Sequence, residues 1–307
     1  MKGNILVIGA LGQVGSELVE NLRAKYGVDN VVAADIKDEG CGGKYEKLDI
    51  LDDAALRLVI EKHEIRNVFN LAALLSATAE KHLAYAWQLN MDGHFNVLNI
   101  AKEGKLDKIF WPSSIAVFGP STPKLNTPQD TVMDPNTVYG ISKQAGERWN
   151  EYYFEKFGVD VRSVRYPGLI GWKSLPGGGT TDYAVDIFYQ ARKTNSYDCF
   201  LNSKAVLPMM MMEDAVRATI EIMETPIENI KIRSSYNLSA ASFSPANLAE
   251  EIANQKEGFT ITYTPDERDA IAASWPQSIN DDEARCDWGW EHKFGTKELV
   301  KEMLAHI

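Results

Sequence analysis

Cysteine is scarce in this chain: 3 in 307 residues, at Cys41, Cys199 and Cys286, with no CxxC pair and no Cys/His cluster. That pattern excludes a disulfide scaffold and a thiolate zinc site. The three thiols read as small apolar fillers in a reducing compartment. Histidine is nearly as rare. His63, His82, His94, His292 and His306 lack ligand spacing, so no metal is expected. Clustered basic charge is missing too. The formal net charge is -11, from 32 basic and 43 acidic residues, which argues against nucleic acid as a partner. No apolar run is long enough to span a bilayer, so no membrane partner is expected. The first residues run straight into a strand pattern with no signal or transit segment, and the expected location is cytoplasmic. Repeats, low-complexity tracts and long linkers are absent as well. What remains has ordinary composition, 45% hydrophobic, and is long enough to bury a large core.

What is present is an alternation. Short apolar runs with β-branched residues stand at 5–8, 31–34, 68–71, 109–111 and 161–164, with helical patterns such as 54–62 and 90–102 between them. Strands alternating with helices predict an α/β fold, a doubly wound parallel sheet. After about Arg165 the pattern changes, which divides the chain into 1–165, a nucleotide-binding part, and 166–307, mainly a smaller substrate lobe with some segments returning to the sheet. There Pro176-Gly177-Gly178-Gly179-Thr180-Thr181-Asp182 reads as a loop. A helix starts at Tyr183, capped by Asp182 or Thr181. Helices are expected at 245–254 and 297–305 and a strand near 259–263. Met209-Met210-Met211-Met212 reads as a buried strand with Asp214 capping the next helix. Trp288-Gly289-Trp290 reads as packing of the smaller lobe.

Three motifs sit on this frame. The first strand ends in Gly9-Ala10-Leu11-Gly12-Gln13-Val14-Gly15 and a helix follows. Strand, glycine turn and helix is the order a dinucleotide site needs. The glycines allow a tight turn and close backbone approach, and the helix N-terminus receives the pyrophosphate. Gly9, Leu11, Gly12, Gln13, Val14 and Gly15 are therefore cofactor candidates. The second strand ends at Asp35, next to Ile36. An acid there accepts hydrogen bonds from the ribose 2′-hydroxyl and repels a 2′-phosphate. Ser113-Ser114 follow another apolar strand, where side chains point into a ligand crevice. Tyr139 and Lys143 stand four apart at the start of a helical segment, on one face. An ammonium beside a phenol favours the phenolate, so Tyr139 can act as a base.

Taken together, Gly9-x-x-Gly12-x-x-Gly15, Asp35, Asp49-Ile50, Leu71-Ala72-Ala73, Asn90, Ser114 and Tyr139-x-x-x-Lys143 resemble the extended short-chain dehydrogenase/reductase family, over nearly the whole chain. The resemblance implies a Rossmann sheet and NAD as cofactor. It places Asp49-Ile50 by the adenine and Leu71-Ala72-Ala73 beneath the cofactor. Asn90 supports the lysine, Tyr139 is the general base with Lys143 its partner, and Ser114 orients the substrate. Arg165-Tyr166-Pro167-Gly168-Leu169-Ile170, through Tyr166, Gly168 and Leu169, meets the nicotinamide carboxamide. A homodimer built partly on the Tyr139 helix is also implied.

Two branches of that family and one non-enzymatic class compete. The nucleotide-sugar epimerases and dehydratases usually carry Asn where this chain has Gly168, and basic residues that grip a diphosphate. A cofactor-sensing binding protein need not keep Ser114, Tyr139 and Lys143 together. Tyr166-Pro167-Gly168, the 176–185 segment, Leu207-Pro208-Met209-Met210, Tyr236-Asn237-Leu238-Ser239-Ala240 and Ser274-Trp275-Pro276 resemble the branch that oxidises the 3-hydroxyl of L-threonine. A zwitterionic substrate of that size wants neutral donors. The Gly178-Gly179-Thr180-Thr181 loop supplies N–H groups and hydroxyls, Ser76 adds another, and Trp275 closes the pocket. The expected substrate set is Ser76, Ser114, Tyr139, Gly179, Thr180, Thr181 and Trp275, with the choice between Thr180 and Thr181 open.

Overall fold

The structure, a computed structural model, describes residues 1–38, 40, 42–177 and 179–307. Its centre is a six-stranded parallel sheet in the order Tyr45–Lys47, Val31–Asp35, Asn4–Ile8, Ile65–Asn70, Lys108–Phe110, Val161–Arg162. The strands are nearly continuous apolar runs because both faces are covered. Ile5, Val7, Val31, Ala33, Phe69 and Phe110 point to one face, which packs on Leu18, Val19 and Leu22 of helix Gln13–Tyr26 and on helix Met212–Glu224. Leu6, Ile8, Val32, Ala34, Val68 and Ile109 point to the other, under helices Asp53–Lys62 and Gly93–Lys102. The doubly wound sheet expected from the alternation is thus present.

The order reverses between Asn4–Ile8 and Ile65–Asn70, and the carboxyl ends of those strands bound a crevice. The expected strand at 161–164 is broken at Ser163, whose hydroxyl bonds that of Ser235. Beyond the break a second parallel layer forms, Ser113–Ser114, Val164–Tyr166 and Tyr236–Asn237. A third sheet joins Gly168–Ile170, Leu207–Met211 and Ala241–Phe243. A parallel pair, Ser196–Cys199 with Thr260–Tyr263, completes the smaller half. The third apolar cluster gathers Phe118, Tyr183, Phe188, Met209, Phe243, Trp275 and Met303.

Several expectations are corrected. Met212 begins a helix rather than ending the strand. Asp214 lies in that helix's first turn, not at its cap; it is buried, pairs with Arg217 at 2.7 Å and accepts the backbone N–H groups of Lys293 and Phe294 at 2.8 and 3.1 Å. Trp290 packs with Trp288 in the cluster on the main sheet, not in the smaller lobe. Cys199 is a buried filler as read, but Cys286 is exposed, and Cys41 lies outside the described residues. Among the described residues no helix is long and apolar enough to cross a membrane.

Candidate active site

The glycine turn is dictated by contacts. Gly9 has φ +78°, and a Cβ there would sit 2.9 Å from the Ala72 nitrogen, so the turn lies directly on Leu71-Ala72. A Cβ on Gly15 would overlap the Gly9 carbonyl, which is why helix Gln13–Tyr26 can ride on the turn. Gly12 caps this helix and lines the cleft; a Cβ on it would meet only the Gly9 oxygen, at 3.3 Å. Its bare edge faces open space, the cradle a pyrophosphate needs, with the helix's first N–H groups behind it. Asp35 accepts the Leu11 N–H at 3.0 Å and so ties the turn to the second strand.

One cleft of about 390 Å³ runs from this turn to Trp275. It brings together Gly9, Gly12, Gln13, Val14, Gly15, Leu71, Ala73, Ser76, Ser114, Tyr139 and Lys143, with Tyr166, Gly168, Leu169, Gly179, Thr180, Thr181 and Trp275. Leu11, Asp35, Ala72 and Asn90 stand behind or beside the lining. Ile36 is exposed and Asp49 caps its own loop by accepting the Leu51 N–H at 2.9 Å. Ile50 is buried in the core against Gly93, so its side chain is not a cleft wall.

Thr137 caps helix Val138–Phe157 by accepting the Gly140 N–H, which fixes Tyr139 in the first turn. Ser114 lines the cleft with Tyr139, and its hydroxyl accepts the Ala116 N–H at 3.2 Å, so it caps a turn beside the phenol. Lys143 donates to the Pro112 carbonyl at 2.6 Å and lies over the Trp111 ring, 4.2 Å from its centroid and 5.6 Å from that of Tyr139. Burial dominates both groups. It pushes the Tyr139 phenol up to about 12, against the lowering pull of Ser114, and the Lys143 ammonium down to about 7, against the raising pull of Glu147. Lys143 is expected to lower Tyr139 together with a nicotinamide that becomes cationic on oxidation; in the protein by itself desolvation outweighs any lowering. Asn90 sits in a π-helical turn, Gln88–Asp92, and its side chain clasps Leu74, accepting its N–H at 2.8 Å and donating to its carbonyl at 3.2 Å and to Ser142 at 3.1 Å. It holds the Leu74 loop to the catalytic helix rather than touching Lys143. The Tyr166 hydroxyl bonds Thr219, away from the cleft.

At the far end, Thr180 is 1% exposed and its hydroxyl has no hydrogen-bond partner. Thr181 turns its methyl toward Gly168, where a Cβ would meet Met209 and Thr181 at once. The Gly179 N–H, expected to be offered to substrate, is taken by the Asp182 carboxylate at 2.7 Å. Gly178 lies outside the described residues. Sequence reasoning passed over Leu75, Pro112, Ile115 and Asp182 as lining, and Trp111 and Glu147 beneath Lys143. Only Glu147 carried a signal, four residues beyond Lys143 on the same face.

A nucleotide cradle joined to a Ser–Tyr–Lys set at the switch point defines a nicotinamide-dependent oxidoreductase of the extended short-chain type. The profile of the NAD dependent epimerase/dehydratase family matches residues 5–239, and the chain belongs to that family. It is 47% identical to a Staphylococcus saprophyticus protein known only as an uncharacterized epimerase/dehydratase, over 99% of this chain and 96% of that one. It is 54% identical to the holo form of a GalE-like L-threonine dehydrogenase from Cupriavidus necator, with a TM-score of 0.97 and 98% and 99% of the two chains covered. A monomeric L-threonine 3-dehydrogenase from a metagenome, in its apo form, is 48% identical with a TM-score of 0.95, covering 98% and 97%. Nothing in these comparisons supports the expected homodimer, and the last relative is a monomer.

Proposed function

We propose that the protein oxidises the 3-hydroxyl of L-threonine to 2-amino-3-oxobutanoate with NAD. The observation that carries this reading is what lines the cleft with Tyr139: Thr180, whose hydroxyl is buried without a partner, beside Ser76, Asp182 and Trp275. A polar atom buried without a partner costs free energy unless a ligand completes it. Its neighbours suit a small amino acid. Ser76 and Thr180 offer neutral donors to a carboxylate, Trp275 is an apolar wall, and Asp182 is a counter-charge for the ammonium. Among the described lining residues only Lys143 and Asp182 are charged, so the cleft has no basic grip for a sugar nucleotide's diphosphate. Gly168 argues the same way, because Asn there would displace Thr181 and Met209.

Gly9, Gly12 and Gly15 would hold NAD, with Asp35 on its ribose favouring it over the 2′-phosphorylated cofactor, and the chemistry it would supply there is a hydride acceptor. Residues 1–165 hold the cofactor and 166–307 mainly shape the substrate end. Ser114 and Tyr139 bond the 3-hydroxyl. Tyr139 removes its proton, and Ser114 stabilises the phenolate by donating to it. The Lys143 ammonium and the positive charge of an oxidised nicotinamide then supply what lowers the phenol from about 12 toward working pH. Thr180 and Ser76 set the amino acid's orientation, and Trp275 excludes water. Tyr139→Phe tests this directly. Turnover of L-threonine should fall by about 10² to 10⁴ while NADH binding and thermal stability persist; near-normal turnover would remove Tyr139 as the base.

A further inference from the structure

Three segments carry the site's chemistry: helix Val138–Phe157 with Tyr139 and Lys143, the strand end Ser113–Ser114, and strand Val164–Tyr166 leading to Gly168. One buried side chain joins them all. Glu147 lies one turn beyond Lys143 and two beyond Tyr139, so the three share a helix face. Its carboxylate is fully buried. One oxygen accepts the Ser113 hydroxyl at 2.5 Å and the Arg165 Nε at 2.9 Å; the other accepts Arg165 Nη2 at 2.7 Å. Arg165 is held in turn by the Gln129 carbonyl and the Asn237 side chain, both at 3.0 Å. Ser113 pairs with Arg165 across the strands and stands between Pro112, whose carbonyl takes Lys143, and Ser114.

A buried ion pair is weak evidence for stability, because well-packed apolar residues hold a fold equally well. Its place beside the reacting groups calls for another role. We propose that Glu147 is a positioning residue: from the helix face that carries Tyr139 and Lys143 it holds Ser113, and with it Ser114 and the Pro112 carbonyl that takes Lys143, against strand Val164–Tyr166. The inference deepens the oxidoreductase reading above and rests on it.

The charged and titratable groups around Lys143 are few. Glu147 and Tyr139 face it from its own helix. His94, on helix Gly93–Lys102, stacks on the far side of Trp111 and is kept neutral by burial, down to about 3. The strand end Ser113–Ser114 brings no ionisable group, and Arg165 turns its donors to Glu147, Gln129 and Asn237. Burial lowers Lys143, and Glu147 is the charge that opposes this. Without Glu147 the ammonium should lose its proton at still lower pH.

NADH binding against pH reads this without any turnover. The dinucleotide is anionic and prefers the ammonium, so its Kd should rise about tenfold per unit once pH passes the free protein's Lys143 pKa. In Glu147→Gln that break should move down by about half a unit or more, and kcat for threonine should fall more than KM rises. Glu147→Asp keeps the charge and should keep the wild-type break. Glu147→Gln leaves Arg165 unpaired and risks unfolding, so the double variant Glu147→Gln/Arg165→Met serves as well and should show the same downward move. An unmoved break in whichever of these variants folds overturns the proposal. So does an equal move in Glu147→Asp, which would assign the effect to packing. Wild-type protein that binds NADH but leaves threonine untouched refutes the substrate reading instead, and the break still judges Glu147.

Discussion

Thr180 and Lys143 are both polar groups that the fold buries at a cost, and each makes its own prediction. Thr180→Val keeps the shape and deletes the unpartnered hydroxyl. Cofactor-free protein should be as stable as wild type or more so, by up to about 1 kcal/mol, while KM for threonine rises roughly ten- to a hundredfold from the lost bond to a charged carboxylate. Thermal denaturation and steady-state kinetics on one preparation check both signs, and an unchanged KM would place the carboxylate elsewhere. Lys143 is lowered to about 7 in the folded protein from 10.5. Between those values the unfolded chain holds a proton that the folded one has released, so this group makes stability rise with pH across that window. Lys143→Met should therefore compare best with wild type at or below pH 7 and lose that advantage toward pH 10. A constant offset in melting temperature would show that Lys143 is not buried as described. The Tyr139–Lys143 spacing was readable from sequence. The direction of the Tyr139 shift was not, because spacing shows a neighbour and says nothing of burial. Nor could adjacent residues reveal that Thr180, not Thr181, has the orphaned hydroxyl.

Glycines decide how closely elements meet. Gly9 and Gly15 let a strand, a turn and a helix interlock, and the pattern strand–glycines–helix announces this locally. Gly168 acts across the sheet. It gives Met209 and Thr181 room beside the cleft. Gly168→Asn should push the Thr181 segment aside and lower kcat/KM for threonine by about a hundredfold, the scale of an ångström's misplacement, with NAD binding largely kept. Unchanged kcat/KM would show that the site does not need this close approach. The elements that escaped the sequence depend on partners distant in the chain. The π-helical turn at Gln88–Asp92 forms where Asn90 clasps Leu74, and the strand breaks at Ser163 where Ser235 meets it. The Gly179 N–H looks free in a glycine run until Asp182 folds back onto it.

At the scale of the molecule, two apolar clusters sandwich the sheet and a third fills the smaller half, and the cleft lies where the strand order reverses. Alternating apolar runs are enough to forecast that architecture, because each strand buries both faces. They do not show that Trp290 packs on the main sheet, since the return of helix Met212–Glu224 and of Ala284 and Trp290 to it is set by packing rather than by local pattern. Substrate choice is also a whole-molecule property, because Gly168, the 180–182 segment and Trp275 reach one cleft from separate parts of the chain. A site that bonds polar groups rejects analogues lacking them far better than analogues short of a methyl. The most direct measurement is NADH formation by the wild-type protein with L-threonine, L-serine, 2-butanol and a UDP-sugar side by side. The account predicts rapid NADH formation with L-threonine, slower with L-serine, and none with 2-butanol or the UDP-sugar. No NADH from threonine, with the UDP-sugar epimerised or dehydrated, would contradict it.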